Sequence, residues 1–190
     1  LKALDENPES VPDRVVAAIK DYARRYRFFH WHLEFPGIFT SGTANDDPVT
    51  GWSGGFQACL SNPPWETLQL EDKQFFANLG RTDIADAPTA ARRKKLIGSL
   101  AADDPHLYRR YVGAARDAEA TTHLVRGGRY PLTATGKINT YSIFAETMRS
   151  IIDPNGTAGI ITPTGLATDK TTSIFFSDTL RTGRLRAFYD

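Results

Sequence analysis

Apolar positions recur with a helical rhythm early in the chain. Val15, Val16, Ile19, Tyr22, Ala23 and Tyr26 keep an i, i+3, i+4 spacing, which predicts an amphipathic helix running to about His30. Ser10 reads as its N-cap, with Pro12 in the first turn. The stretch from Phe35 to Phe39, carrying Pro36 and Gly37, breaks it, and residues 40–55 are rich in Gly, Thr, Ser, Asp and Asn, as a loop or hairpin would be. Phe56 to Leu60 is a short apolar run between Gly54-Gly55 and Pro63-Pro64, and its length and flanks predict a buried strand. The pattern is then helical and more polar: Glu71–Leu79, Thr89–Leu100 and Pro105–Leu124, closed by Gly127, Gly128 and Pro131. Asn139–Ile152 returns to strong amphipathicity, residues 154–156 form a turn, and Ala158–Thr162 is a second buried strand closed by Pro163. Lys170–Leu180 reads as a short helix and Leu185–Tyr189 as a third strand. Strand, helix, strand, helix, strand predicts an α/β fold with a parallel sheet.

Composition narrows this picture. The 190 residues suit one domain, and 41% hydrophobic with 24% charged residues exclude disordered and fibrous classes. No stretch approaches the ~20 apolar residues of a membrane span, so no membrane partner is expected. The single Cys59 excludes a disulfide framework and a multi-cysteine zinc site, and a reducing, cytoplasmic compartment is the expected one. Leu1 opens the sequence and Met148 is its only methionine, so a longer parent polypeptide is expected. The net charge of +1 hides an asymmetry: residues 92–129 hold nine basic against four acidic groups, net +5, and the remainder is net −4. Arg92, Arg93, Lys94 and Lys95 are the candidate phosphate contacts in that basic region, against the plainer reading of a solvated helix face.

The candidate chemistry lies at Asn62-Pro63-Pro64-Trp65, immediately after the first strand. In open α/β sheets ligands bind beyond the carboxyl ends of strands. Each proline fixes its own φ near −65° and pushes its predecessor out of the helical region, so Asn62 and Pro63 are held extended and Trp65 is presented at a fixed angle. Such a corner suits a planar ligand bearing an amino group: Asn62 Oδ1 and the Pro63 carbonyl each accept one amino proton while the indole stacks on the ring. The plainer alternative is a rigid turn with a core tryptophan.

Asn-Pro-Pro-aromatic after an apolar strand resembles the catalytic motif of adenine-specific DNA methyltransferases that use S-adenosylmethionine. Asn139 to Glu146, the turn Asp153 to Gly156, and Gly159 to Pro163 are similar to the helix, turn and strand that follow the catalytic loop there. Phe28 to Phe35, reading Phe-Phe-His-Trp-His-Leu-Glu-Phe, resembles a segment of large single-chain restriction–modification and phage-defence methylases. These stretches lie on either side of a helical insertion at about 66–130, which has no counterpart in them.

The resemblance implies the catalytic half of a Rossmann-like class I methyltransferase sheet. It assigns catalysis to Asn62, Pro63, Pro64 and Trp65, and substrate binding to Trp65 and Tyr141. It also implies double-stranded DNA as partner and S-adenosylmethionine as methyl donor, with no metal. A Gly-rich turn after a first strand, which would bind the donor, is missing: Gly51 to Gly55 precedes a strand, Gly127-Gly128 follows a helix, and Gly156 to Gly159 is a turn entering a strand. Gln57 stands in the strand where the family often carries Asp. The cofactor half is accordingly expected upstream of Leu1 and a target-recognition domain downstream of Asp190. The piece by itself is then expected to be inactive and, with apolar strand edges exposed, to self-associate.

Other readings remain open. The amine could belong to RNA guanine or a protein glutamine, or the piece could be a non-catalytic docking or decoy domain. His30 and His32 flank Trp31, and without nearby ligands they read as part of an aromatic packing cluster. Cys59 reads as a small buried apolar residue.

Overall fold

A computed structural model describes residues 7–189. Helix α1 spans Asp13–Tyr26 and begins one step after an extended Pro12 (φ −56°, ψ 137°), whose carbonyl accepts from the Val15 and Val16 amides. Ser10 is not the cap: with Pro12 extended it lies too far back to reach the first turn, and its hydroxyl donates to the Asn7 carbonyl instead. The helix also stops earlier than His30. Arg27 adopts the left-handed conformation (φ 46°) and its amide closes on the Ala23 carbonyl, a turn that ends a helix even though it costs a non-glycine residue about 1–2 kcal/mol. A single turn, α2 (Trp31–Glu34), follows.

Residues 40–55 form the expected hairpin between β1 (Phe39–Thr40) and β2 (Ser53–Gly54), paired antiparallel. Gly54 has φ +93°, and a Cβ there would lie 2.1 Å from the Ile38 carbonyl oxygen, so only glycine lets the two backbones approach.

Strand β3 (Phe56–Ser61) pairs in parallel with β4 (Ile152–Ile160), with Ala58 opposite Thr157 and Ser61 opposite Ile160. The expected turn at 154–156 sits inside β4 instead of before it. Phe56 faces Ile152 and Ala58 already faces Thr157, so residues 153–156 loop out of the ladder. Pro154 has no amide to give a neighbouring strand, and the Asn155 amide bonds to Asp153 Oδ1 at 2.9 Å. The third strand, expected at Leu185–Tyr189, does not form. That segment is irregular and is tied down by side chains: Arg186 Nη1 donates to Thr157 Oγ1 at 2.6 Å, and Phe188 packs on Phe176 with ring centroids 6.0 Å apart. Among the described residues the sheets are therefore two two-stranded pieces in a mixed α/β, mainly helical chain.

Parallel strands need a long crossover, and here it is helical: α3 (Asp72–Asn78), α4 (Thr82–Ala85), α5 (Ala90–Asp103), α6 (Pro105–Val125) and α7 (Thr140–Ile151). Local caps set the starts, with Thr89 Oγ1 accepting the Arg92 amide and Asp104 Oδ1 the Leu107 amide ahead of Pro105. Phe76, Ile84, Ala85, Ile97 and Leu100 make one core inside this helical block. Phe39, Trp52, Met148 and Ile151 make another against the strands, and Val125, Ile138 and Ile143 a third between the two. Two short helices, α8 (Gly165–Thr168) and α9 (Ser173–Arg181), follow β4, and Arg149 on α7 holds α9 through Asp178 at 2.5 Å. No described helix is long and apolar enough to cross a membrane.

Candidate functional site

The Asn62–Trp65 corner leaves the carboxyl end of β3, and every described peptide bond in it is trans. Asn62, Pro64 and Trp65 are exposed, Trp65 at 56%, while Pro63 is buried and anchors the loop. The tryptophan is therefore not a core residue. No donor among the described residues reaches the Asn62 amide oxygen or the Pro63 carbonyl, and no aromatic ring stacks on the Trp65 indole.

The next carbonyl is occupied. Thr140 Oγ1 donates to the Pro64 carbonyl at 2.6 Å and accepts from the Glu66 amide at 3.0 Å, and the Thr140 amide donates to the Glu66 carbonyl at 2.8 Å. Thr67 bridges Asn139 and the Leu68 amide donates to the Ile138 carbonyl at 3.0 Å, so the exit of the corner runs antiparallel to the segment entering α7. Tyr141, the expected substrate contact, is 5% exposed. Its hydroxyl accepts from Asn139 Nδ2 at 3.3 Å and donates to Asp169 Oδ2 at 3.5 Å. Burial, with the Asp169 carboxylate beside it, holds the Tyr141 phenol above its ordinary pKa, so it stays protonated and able to donate. These contacts brace α7 against the segment that follows α8. Gly165 permits this approach, since a Cβ there would lie 2.6 Å from Asp169 Oδ2 and 3.1 Å from the tyrosine oxygen.

The basic run divides. Arg92, Lys94 and Lys95 are exposed on α5, whereas the Arg93 guanidinium donates to the carbonyls of Ile84, Ala85 and Ala87 at 3.2–3.3 Å. Arg93 thus closes the end of α4 through its Nε and Nη2 groups. The His30 and His32 rings are 6.0 Å apart, His32 lies 6.2 Å from the Trp52 ring, and Trp31 packs on Phe35, Phe39 and Phe56, so the segment is an aromatic packing cluster. No group of three or more potential metal ligands occurs among the described residues. Cys59 is half-buried, and burial pushes its thiol up.

Two cavities of about 310 Å³ lie in the helical block, one beside Arg81, Asp83 and Leu100, the other beside Gln69, Tyr111 and Arg126. Neither is lined by residues of the corner. Thr140 and Asp169 are the residues that reading the sequence missed. Thr140 lies within the Asn139–Glu146 block, but nothing local marks a hydroxyl that acts on a carbonyl 76 positions away. The chain matches no protein-family model, no curated protein and no solved structure.

Proposed function

We propose that this chain is the base-positioning segment of an adenine-specific DNA methyltransferase of a restriction–modification or phage-defence system. In this reading β3 and β4 belong to the catalytic half of a Rossmann-like sheet. The observation that carries it is the corner at the end of β3: a free Asn62 amide, a partnerless Pro63 carbonyl and an exposed indole within four residues. A flipped adenine, extruded at a cost of a few kcal/mol, recovers about 1–3 kcal/mol by stacking on Trp65. Its amino nitrogen is a poor nucleophile because the lone pair is delocalised into the ring. Donating both amino protons to Asn62 Oδ1 and the Pro63 carbonyl favours a pyramidal nitrogen and frees the lone pair, which is catalysis by positioning and electrostatics. Exposed Arg92, Lys94 and Lys95 supply the phosphate-facing charge.

S-adenosylmethionine supplies the methyl group in this class. The described residues do not form its cradle: Gly54 ends β2 and Gly55 joins it to β3, Gly127 and Gly128 follow α6, and Gly156 and Gly159 lie within β4. What this chain contributes is therefore the holding of the acceptor base.

The test is radiolabelled methyl transfer by the intact protein to adenine-containing duplex DNA. Asn62 is exposed and unpaired, so Asn62→Ala leaves folding intact and lowers the rate by at least about a hundredfold, as loss of one oriented polar group does. Trp65→Ala weakens base binding by about 5–150-fold. Transfer by Asn62→Ala at near wild-type rate rejects the assignment, and label appearing only in RNA or in a protein glutamine moves the substrate.

A further inference from the structure

We infer that Thr140 is a positioning residue that sets the conformation of the Asn62–Trp65 corner. Its effect on turnover rests on the methyltransferase reading above; its effect on the corner does not. Pro63 and Pro64 carry no amide hydrogen, so the middle of the corner cannot be held by bonds that it donates itself. Its shape depends on a donor from elsewhere, and Thr140 is that donor. The hydroxyl has one proton and two carbonyls within reach, Pro64 at 2.6 Å and Glu66 at 3.1 Å. The shorter bond takes it. The same oxygen accepts the Glu66 amide at 3.0 Å, so one side chain grips the backbone on both sides of Trp65.

The hydroxyl has no competing duty in its own helix. Asn139 occupies the N-cap position of α7 without a side-chain cap bond, and Ser142 turns its hydroxyl back to the Asn139 carbonyl at 2.7 Å. Thr140 therefore reaches outward from the first turn. Its mount is rigid, because Tyr141 is pinned through Asp169, Met148 and Ile151 lie in the strand-side core, and Arg149 is held by Asp178. Taking the Pro64 carbonyl in this way leaves the Pro63 carbonyl as the one at this proline pair with no donor among the described residues. Misplacing a reacting group by about an ångström costs on the order of a hundredfold in rate, so a clamp on the neighbouring peptide acts on kcat more than on KM.

Thr140→Val keeps the shape and removes both hydroxyl bonds; Thr140→Ser restores them. Both are made in the intact protein and followed by hydrogen exchange of the Glu66 amide and by methyl-transfer kinetics. The Val variant is expected to exchange Glu66 about fivefold to tenfold faster and to lose about tenfold or more in kcat with KM within about threefold, as expected for one lost hydrogen bond in a positioned loop. The Ser variant is expected to return both towards wild type. Unchanged exchange in the Val variant overturns the inference, as does faster exchange with unchanged kcat while Asn62→Ala remains impaired. If Asn62→Ala is as active as wild type, the methyltransferase reading fails and the Glu66 exchange alone decides whether Thr140 holds the corner. If the Val variant does not fold, Thr140→Ala, which adds no methyl group to the clamp, is measured in its place.

Discussion

Replacing Phe76 by alanine tests whether the helical block between the two strands has a core of its own. The Phe76 ring is 0% exposed, stacks on Tyr111 with centroids 5.3 Å apart and meets Phe75 edge-on at 5.1 Å. Around it lie Ile84, Ala85, Ile97 and Leu100, none of which belongs to the strand-side core. Truncation leaves a void of roughly 100 Å³, which at ~24 cal/mol per Å³ contributes about 2.4 kcal/mol. Loss of the ring's transfer free energy adds about 2 kcal/mol, for a total near 4 kcal/mol. Against a total stability of about 5–15 kcal/mol this is a large fraction, and it corresponds to a fall in Tm of about 8–16 °C. Urea titration followed by far-UV circular dichroism measures it as a lower midpoint at constant slope, with Leu60→Ala, at a residue 89% exposed, as the control expected within about 0.5 kcal/mol. Hydrogen exchange in the Phe76 variant is expected to rise first in α3–α6, while β3 amides keep their protection. A loss below about 1.5 kcal/mol, or exchange rising equally in β3, refutes an independent helical core.

Two further outcomes follow from buried polar groups. Glu146 on α7 is 7% exposed and accepts from the Leu132 amide at 3.1 Å and the Thr133 hydroxyl at 2.5 Å, so Glu146→Ala strands two donors and costs about 2–4 kcal/mol. Thermal unfolding measures this, and the Glu146→Ala/Thr133→Val pair is expected to regain about 1 kcal/mol; a single-variant loss under about 0.5 kcal/mol contradicts the role. The Tyr111 phenol, half-buried and donating to Asp72 Oδ1 at 2.9 Å, has its pKa pushed up to about 12 by desolvation and by the neighbouring carboxylate. A raised folded value means that the native state keeps a proton the unfolded chain releases, so stability is full below pH 10 and falls as pH rises towards about 12. The fall is about 1–2 kcal/mol once partial solvent access is allowed for, and Tyr111→Phe removes that share of the slope. A wild-type slope identical to that of the Phe variant over this range refutes the coupling.

The helical block was legible from the chain itself because its signals are local. Thr89, Asp104 and Pro105 mark starts that the backbone uses, and the apolar spacing brings Ile97, Leu100 and Val125 to the inner faces. The strand ahead of Asn62, and the chemistry of Asn62, Pro63, Pro64 and Trp65, were likewise written in residue types, but the expected burial of that strand was not met: no residue of Phe56–Ser61 is buried and Leu60 is 89% exposed. Where the sequence misled, the cause was either a local backbone conformation that the apolar rhythm does not mark or a distant contact. Arg27 entered the left-handed region and ended α1 although the apolar rhythm continues past it. Residues 153–156 looped out because β4 registers against β3, and Leu185–Tyr189 stayed irregular because a strand exists only with a backbone partner. Only the tertiary structure decided that Pro63 is buried while Trp65 is exposed, that Arg93 serves α4, and that Thr140 grips a loop 76 residues earlier. Propensity and proline stereochemistry act over a few bonds. Register, burial and the hydroxyl that completes the corner depend on which distant segments meet, and that is settled by packing the whole chain.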